Sequence, residues 1–317
     1  MYRFKVGKER EGDCIGFDLD GTLITTKSGN NFPKDWEDWK FLPGVIDKLR
    51  NMKEGILIVT NQNGKNFSIE DFKKKILAIG EEMKIGFRIY IATKKDRYRK
   101  PCVGFFDDAT PKKIISFVGD AAGRSAGKKK DHSDTDYKFA LNLGIPFFTP
   151  EEFFLGKEER KKTITYPEFP IVKELYKPSA KLVILIGYPG AGKSWYSKQF
   201  EYERINQDIL KKKEKCVSEC ERLMKENKKI IIDNTNPSQE VRDEYIQKAK
   251  KYKYSYEIIH IDTPKEICEH NMMMRCCEEK KEFVSSIAYN VFKGKFSKEG
   301  ITKTIQLPHE WNGKYYF

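Results

Sequence analysis

Asp18 and Asp20 stand two apart in CIGFDLDGTLIT, directly after an apolar run and directly before Gly21 and Thr22. Two carboxylates so placed suit phosphoryl chemistry. One attacks phosphorus and becomes an aspartyl phosphate. The other gives a proton to the leaving oxygen and later takes one from water. Strand residues two apart share a face, and Gly21 lets the chain turn so that both acids reach one substrate. Acids beside a phosphate repel it, so positive charge and donors must come from elsewhere. Thr60 and Asn61 in IVTNQ, Lys100 in YRKP and Asp120 in FVGD fall at or near later strand ends. Thr60 and Asn61 are expected to donate hydrogen bonds to phosphoryl oxygens. Lys100 and a Mg²⁺ held by Asp18 and Asp120, with Asp20 beside them in the ligand set, are expected to offset the charge.

A second stretch, KLVILIGYPGAGKSWY, has the opposite chemistry. Gly187 to Ser194 matches the GxxxxGK[ST] phosphate loop, after a strand and opening a helix. Gly187, Gly190, Ala191 and Gly192 offer backbone N–H groups to the phosphates of ATP. Lys193 reaches the β/γ phosphates and Ser194 a Mg²⁺. Asp208, after ERIN, is the candidate base for an acceptor hydroxyl; its alternative role is to cap the helix that follows. Asp233 ends KIIID and is placed to hold a Mg²⁺-bound water or orient a neighbour. Arg275, on the helical stretch CEHNMMMRCCEEKK, is a candidate lid over the phosphates.

The elements that must position these groups alternate. Strands are expected at CIGFDL, ILIVT, FRIYIA, IISFVGD and IPFFT. Helical periodicity lies between them, with Ser68 as an N-cap and Gly144 as a stop. Residues 157–180 read as a linker, rich in charge and proline without a clear period. The alternation then restarts from KLVILIG to YEIIHID. Two α/β domains with parallel sheets follow, over 1–156 and 181–317. Residues 22–41 are too few for a large cap, so the first site is expected to be open, which suits a polymer end better than a metabolite.

The first motif set resembles the haloacid dehalogenase superfamily of phosphatases: FDLDGTL, IVTNQ, RKP and FVGDAAGR stand for its four motifs. The resemblance implies that Asp18 is the nucleophile and Asp20 the general acid/base. The fourth motif usually carries a second acid; here Asp131 and Asp136 are both candidates. The whole chain resembles the eukaryotic polynucleotide kinase 3′-phosphatase family. FDLDGTLITTKSG, TNQ, YRKP, FVGDAAGR, KKKD, FALNLGIPF, TPEEFF, GYPGAGKS, IDNTNP and EHN stand in the family's order over about residues 14–310. A haloacid dehalogenase-like phosphatase joined to a P-loop kinase is thereby implied. It would remove 3′-phosphates and phosphorylate 5′-hydroxyls with ATP and Mg²⁺, so that a ligase can act on DNA breaks. An RNA end-healing enzyme and a non-catalytic nucleic-acid-binding scaffold are the alternatives. NQD stands where the family commonly has NRD, and HNMMMR has one lid arginine where relatives can have two.

The remaining composition bounds the answer. The formal net charge of +13 fits a polyanionic partner such as nucleic acid. No stretch approaches the apolar length of a membrane span, and MYRFKVGKEREGD lacks the apolar core of a secretory signal, so neither is expected. The further expectation is an intracellular, nuclear monomer. The chain begins 13 residues before its first catalytic strand, so a forkhead-associated domain and its phosphoprotein scaffolds are not expected. Seven cysteines without zinc spacing read as buried reduced thiols, and four histidines leave little scope for histidine-centred catalysis.

Overall fold

The computed structural model describes the chain except for residues 63–67, 109–112, 125–130, 159–160, 165–167, 281–282, 310 and 317. Two compact units form: 1–166 with 273–282 and 313–317, and 167–272 with 283–312.

The first unit contains β1 (Tyr2–Val6), β2 (Cys14–Phe17), β3 (Ile24–Thr25), β4 (Lys40–Phe41), α1 (Val45–Asn51), β5 (Gly55–Asn61), α2 (Ile69–Met83), β6 (Phe87–Ala92), α3 (Phe105–Asp108), β7 (Ile114–Val118), α4 (Thr135–Leu143), β8 (Phe147–Phe148) and α5 (Pro150–Leu155). Its six-stranded sheet runs β1-β6-β5-β2-β7-β8. All pairs are parallel but one: β1 joins the edge antiparallel to β6, which the expected parallel sheet did not include. Strands β2 and β5 read as nearly unbroken apolar runs because both faces are covered. In β5, Ile56 and Ile58 enter one core while Leu57 and Val59 enter the other. The chain leaves β2 towards β5 on one side and later returns to β7 on the other, so order reverses beside β2, where α/β sheets open a crevice. Only the short β3–β4 hairpin rises from residues 22–41, as their length predicts.

Helix α2 starts where expected. Ser68 accepts from the Asp71 backbone N–H at 3.3 Å, a cap worth about 1 kcal/mol. Phe72, Ile76, Ile79 and Met83 form its buried stripe. Helix α5 is fixed by a capping box between Thr149 and Glu152, the physical content of TPEEFF.

The second unit contains β9 (Leu182–Ile186), α6 (Lys193–Ser197), β10 (Glu203–Ile205), α7 (Gln207–Leu210), α8 (Lys213–Lys225), β11 (Ile230–Ile232), α9 (Gln239–Lys251), β12 (Tyr256–Ile261), the start of α10 (Lys265–Glu278), α11 (Ser286–Lys295) and β13 (Lys303–Ile305). Its five strands, in order β10-β11-β9-β12-β13, are all parallel. Central β9 alternates strictly: Leu182, Ile184 and Ile186 pack on one face, Val183 and Leu185 on the other.

The expected linker has no helix or strand among its described residues, yet it is anchored. Lys162 Nζ meets Glu152 at 3.1 Å within the first unit. Tyr176 Oη and Ser179 Oγ donate to Glu257 at 3.1 and 2.8 Å within the second. The expectation of seven reduced thiols is corrected. Cys102 and Cys277 are disulfide-bonded across 175 residues, a separation at which local pattern carries no pairing signal, and the other five are buried and outside any disulfide.

Candidate active sites

Strand β2 ends at Phe17, and the Asp18 backbone N–H continues its ladder by donating to Val118 O at 2.9 Å. The Asp18 side chain therefore leaves the sheet at the reversal of strand order. Lys100 Nζ donates to Asp18 Oδ1 at 2.7 Å and lies 2.7 Å from Asp136 Oδ1. Asp120 follows β7, and Thr22 Oγ1 donates to its Oδ1 at 3.3 Å. Side-chain oxygens of Asp18, Asp120 and Asp136 all lie within 4.8 Å of one another. Two glycines make room for this crowding. A Cβ on Gly21, whose φ is 80°, would lie 2.6 Å from Asp120 Oδ2, and one on Gly119 would lie 2.4 Å from Asp136 Oδ2.

Three carboxylates around one ammonium leave an excess of negative charge. Burial pushes the Asp18 carboxyl well above the usual carboxylate range; Lys100 opposes this, and Asp136 and Asp120 add to it. Asp120 is pushed up to about 6, again by burial first and then by Asp136. Burial works against the Lys100 ammonium, but Asp136 and Asp18 outweigh it and hold its pKa above the ordinary lysine value. Such a set of hard oxygen donors fits a hard divalent cation.

Several sequence expectations change. The third carboxylate of the cluster is Asp136. Asp20 does not join it, because its carboxylate is held by Lys75 Nζ at 3.0 Å and Gln62 Nε2 at 2.7 Å. Asp131 instead receives Arg124 Nε at 2.8 Å and the backbone N–H groups of Ala122 and Arg124. Thr60 is buried, and its Oγ1 accepts from Gln62 Nε2 at 2.9 Å. Asn61, expected to donate to phosphate, spends its amide on the Lys100 backbone. Its Nδ2 donates to Lys100 O at 3.0 Å, and its Oδ1 accepts from Lys100 N at 2.9 Å. The reason is placement: β5 ends beside the segment that carries Lys100.

The basic stretch KKDRYRK (94–100) also divides. Lys94 and Lys95 are exposed and Arg99 is half-buried, whereas Arg97 is buried against Gly104. Most of a second basic stretch, GKKKDH (127–132), lies outside the described residues.

In the second unit Gly187, Gly190, Ala191 and Gly192 form the expected loop between β9 and α6. Lys193 Nζ donates to Gly187 O at 2.8 Å and Tyr188 O at 2.6 Å. Burial pulls its pKa down to about 8, with Asp233 and Asp208 opposing. Arg204, which sequence reasoning missed, joins two expected residues. It donates from Nη2 to Ser194 Oγ at 3.3 Å and from Nε to Asp233 Oδ2 at 2.6 Å. Asn206 Nδ2 also donates to Asp233 O at 2.7 Å. Asp208 does not cap α7. Asn206 does, accepting from the Asp208 N–H at 2.9 Å, and Asp208 is left exposed. Asn271 on α10 donates to Gly190 O at 2.9 Å and is the point of EHN. Arg275 falls in the stretch 273–282 that counts with the first unit, with Nε 4.0 Å from Glu279 Oε2.

Thr22, Gln62 and Lys75 were also missed. Gln62 and Thr22 adjoin named motif residues. Lys75 carries a helical signal, since its position falls on the apolar stripe of α2.

An acid cluster at the switch point of one α/β unit and a phosphate loop opening a helix in another define a two-site phosphoryl-transfer enzyme, a phosphatase joined to a P-loop kinase. The chain belongs to the bifunctional polynucleotide phosphatase/kinase family. Residues 13–154 match the family model for polynucleotide kinase 3 phosphatase, and residues 214–298 match that of an AAA domain. The chain is 36% identical to a bifunctional polynucleotide phosphatase/kinase of Schizosaccharomyces pombe, over 97% of this chain and 83% of that one. It is 34% identical to a putative bifunctional polynucleotide phosphatase/kinase of Acanthamoeba polyphaga mimivirus, over 88% and 80%. A polynucleotide 3′-phosphatase of Saccharomyces cerevisiae is 30% identical over 45% of this chain and 88% of its own length.

Proposed function

We propose that this chain removes 3′-phosphates from DNA ends through an aspartyl phosphate and phosphorylates 5′-hydroxyl ends with ATP, leaving breaks ready for ligation. The observation that carries the reading is the set Asp18, Asp120 and Asp136 around Lys100 at strand ends. The +13 charge and the exposed Lys94 and Lys95 support a nucleic-acid backbone as partner. Action on DNA breaks implies a nuclear place of work. Among the described residues no helix is long and apolar enough to cross a membrane.

Asp18 is the nucleophile. Its oxygen bonds to phosphorus while the bond to the 3′ oxygen breaks and Asp20 protonates that oxygen. Asp20 then takes a proton from the water that attacks the aspartyl phosphate, and inorganic phosphate leaves. Lys100 stabilises charge at Asp18 and on the phosphoryl oxygens. Asp18, Asp120 and Asp136 would hold a divalent cation, which would supply further positive charge there.

In the second unit the loop amides and Lys193 hold the ATP phosphates, and Ser194 would hold Mg²⁺. Asp208, exposed and close enough to raise the Lys193 pKa, takes the proton of the 5′-hydroxyl. Arg204 and Asn206 hold Asp233 at the side of the loop.

The test is a duplex with a 3′-phosphate/5′-hydroxyl nick, incubated with Mg²⁺ and labelled ATP while both ends are followed. Asp18→Ala should abolish 3′-dephosphorylation and spare the kinase; Lys193→Ala should do the reverse. BeF₃⁻ should inhibit the phosphatase by mimicking phosphate on Asp18. Loss of both activities in either folded variant sinks the two-site reading, and equal rates on RNA ends would move the substrate away from DNA.

A further inference from the structure

Helix α2 carries Lys73, Lys74 and Lys75 in succession. The first two pair with Glu70 and Asp71 on the exposed side. Lys75 lies among Phe72, Ile76 and Ile79 on the buried stripe, with only 7% of its side chain exposed. An ammonium there is costly unless a carboxylate and good geometry compensate. The compensation is Asp20: Lys75 Nζ stands 3.0 Å from Asp20 Oδ1 and 5.8 Å from the Phe72 ring centroid. Gln62 Nε2 holds the other oxygen, Asp20 Oδ2, at 2.7 Å. Asp20 itself is half exposed.

A carboxyl held through one oxygen can still swing about its terminal torsion, which is broad and two-fold. Held through both, it cannot. Each oxygen keeps a second lone pair, so the proton to be transferred still has a place. We infer that Lys75 and Gln62 are positioning residues that clamp Asp20 in the orientation from which it protonates the leaving 3′ oxygen. This rests on the acid/base assignment of Asp20 proposed above. In that step the P–O3′ electron pair goes to the 3′ oxygen, and the proton of Asp20 goes with it. Asp20 is left as the carboxylate that faces the incoming water.

The leaving group separates this from mere structural support. A 3′-alkoxide must be protonated as it leaves, whereas 4-nitrophenolate need not be. The experiment is rapid-mixing kinetics of the first phosphoryl transfer, on an oligonucleotide 3′-phosphate and on 4-nitrophenyl phosphate. The variants are Lys75→Met, Gln62→Met and Asp20→Asn. Lys75→Met keeps the stem that packs in the stripe. It should slow the oligonucleotide burst by about 10-fold or more and the 4-nitrophenol burst by less than about 3-fold, the pattern of lost proton transfer. Gln62→Met should show the same bias without disturbing α2, and decides the matter if Lys75→Met fails to fold. Equal losses on both substrates, or none, in the folded variants overturn the clamp. If Asp20→Asn itself shows no leaving-group bias, the acid assignment beneath the clamp falls instead. Bias in Asp20→Asn but not in Lys75→Met or Gln62→Met rejects the clamp alone.

Discussion

Asn61 and Lys100 hold each other by a reciprocal pair of hydrogen bonds, the Asn61 amide donating to the Lys100 carbonyl at 3.0 Å and accepting from its N–H at 2.9 Å. The strand end thus sets where Lys100 begins, and Lys100 in turn bridges Asp18 and Asp136. An asparagine in a phosphatase motif here serves the lysine's backbone.

Asn61→Ala should therefore act through Lys100. Both backbone groups lose a partner, worth about 1–3 kcal/mol if left unsatisfied. The expected result is a fall in phosphatase kcat of roughly 10–100-fold for that loss of alignment, with unchanged kinase activity. Asn61→Asp can replace only the accepting half of the pair and should recover only part of the rate. Steady-state assays of both activities check this.

Asp136 and Asp131 make a contrasting pair. Asp136→Asn removes one of the three clustered carboxylates and a partner of Lys100. Phosphatase activity should fall by about 100-fold or more, and the Mg²⁺ concentration for half-activation should rise. Asp131→Asn should instead loosen Arg124, costing about 1–3 kcal/mol of stability while sparing most of kcat. Mg²⁺ titrations of activity, beside urea unfolding of each variant, separate the two outcomes.

Gln207 adjoins the proposed base Asp208 and is exposed. Its backbone N–H is used by Asn234 Oδ1 at 2.8 Å, which leaves the side chain to face outward. Gln207→Arg adds a charged, two-pronged donor, and charge-assisted contacts are about twice as strong as neutral ones. Lys213 is already committed to Glu244, so Lys211 and Lys212 are the remaining nearby charges. The kinase KM for 5′-hydroxyl DNA should fall several-fold, with a salt dependence steeper by about one contact. Dephosphorylation should not change. Kinetics at two salt concentrations test it, and an unchanged KM means that residue 207 does not face the substrate.

Arg242 is fully buried in α9, and its guanidinium donates to Asn236 O, Pro237 O, Gln239 Oε1, Ser297 O and Glu299 O at 2.8–3.1 Å. It ties the end of IDNTNP to the segment following α11. Arg242→Met keeps much of the volume but strands those acceptors. The second unit should lose about 2–4 kcal/mol. Urea unfolding followed by kinase activity should shift to lower concentration, while the phosphatase persists.

Much of this molecule was legible along the chain. Unbroken apolar runs marked β2, β5 and β9 because both faces of a parallel sheet are covered. FDLDGT and GYPGAGKS declared their chemistry because turn, glycine and charged group lie within a few residues of each other. Ser68 and Gly144 marked helix ends for the same local reason. What tertiary structure decided was partnership. That Asp136 rather than Asp131 completes the acid cluster depends on where Arg124 reaches. That Asn61 serves Lys100, Lys75 holds Asp20 and Arg204 joins Asp233 to Ser194 depends on strands and helices meeting across 10 to 55 residues of chain. The antiparallel edge strand β1 and the Cys102–Cys277 bond are of the same kind. Local pattern reports what one segment can do by itself. A buried charge or amide takes its role from whichever group shares its small volume, and only the folded chain determines that.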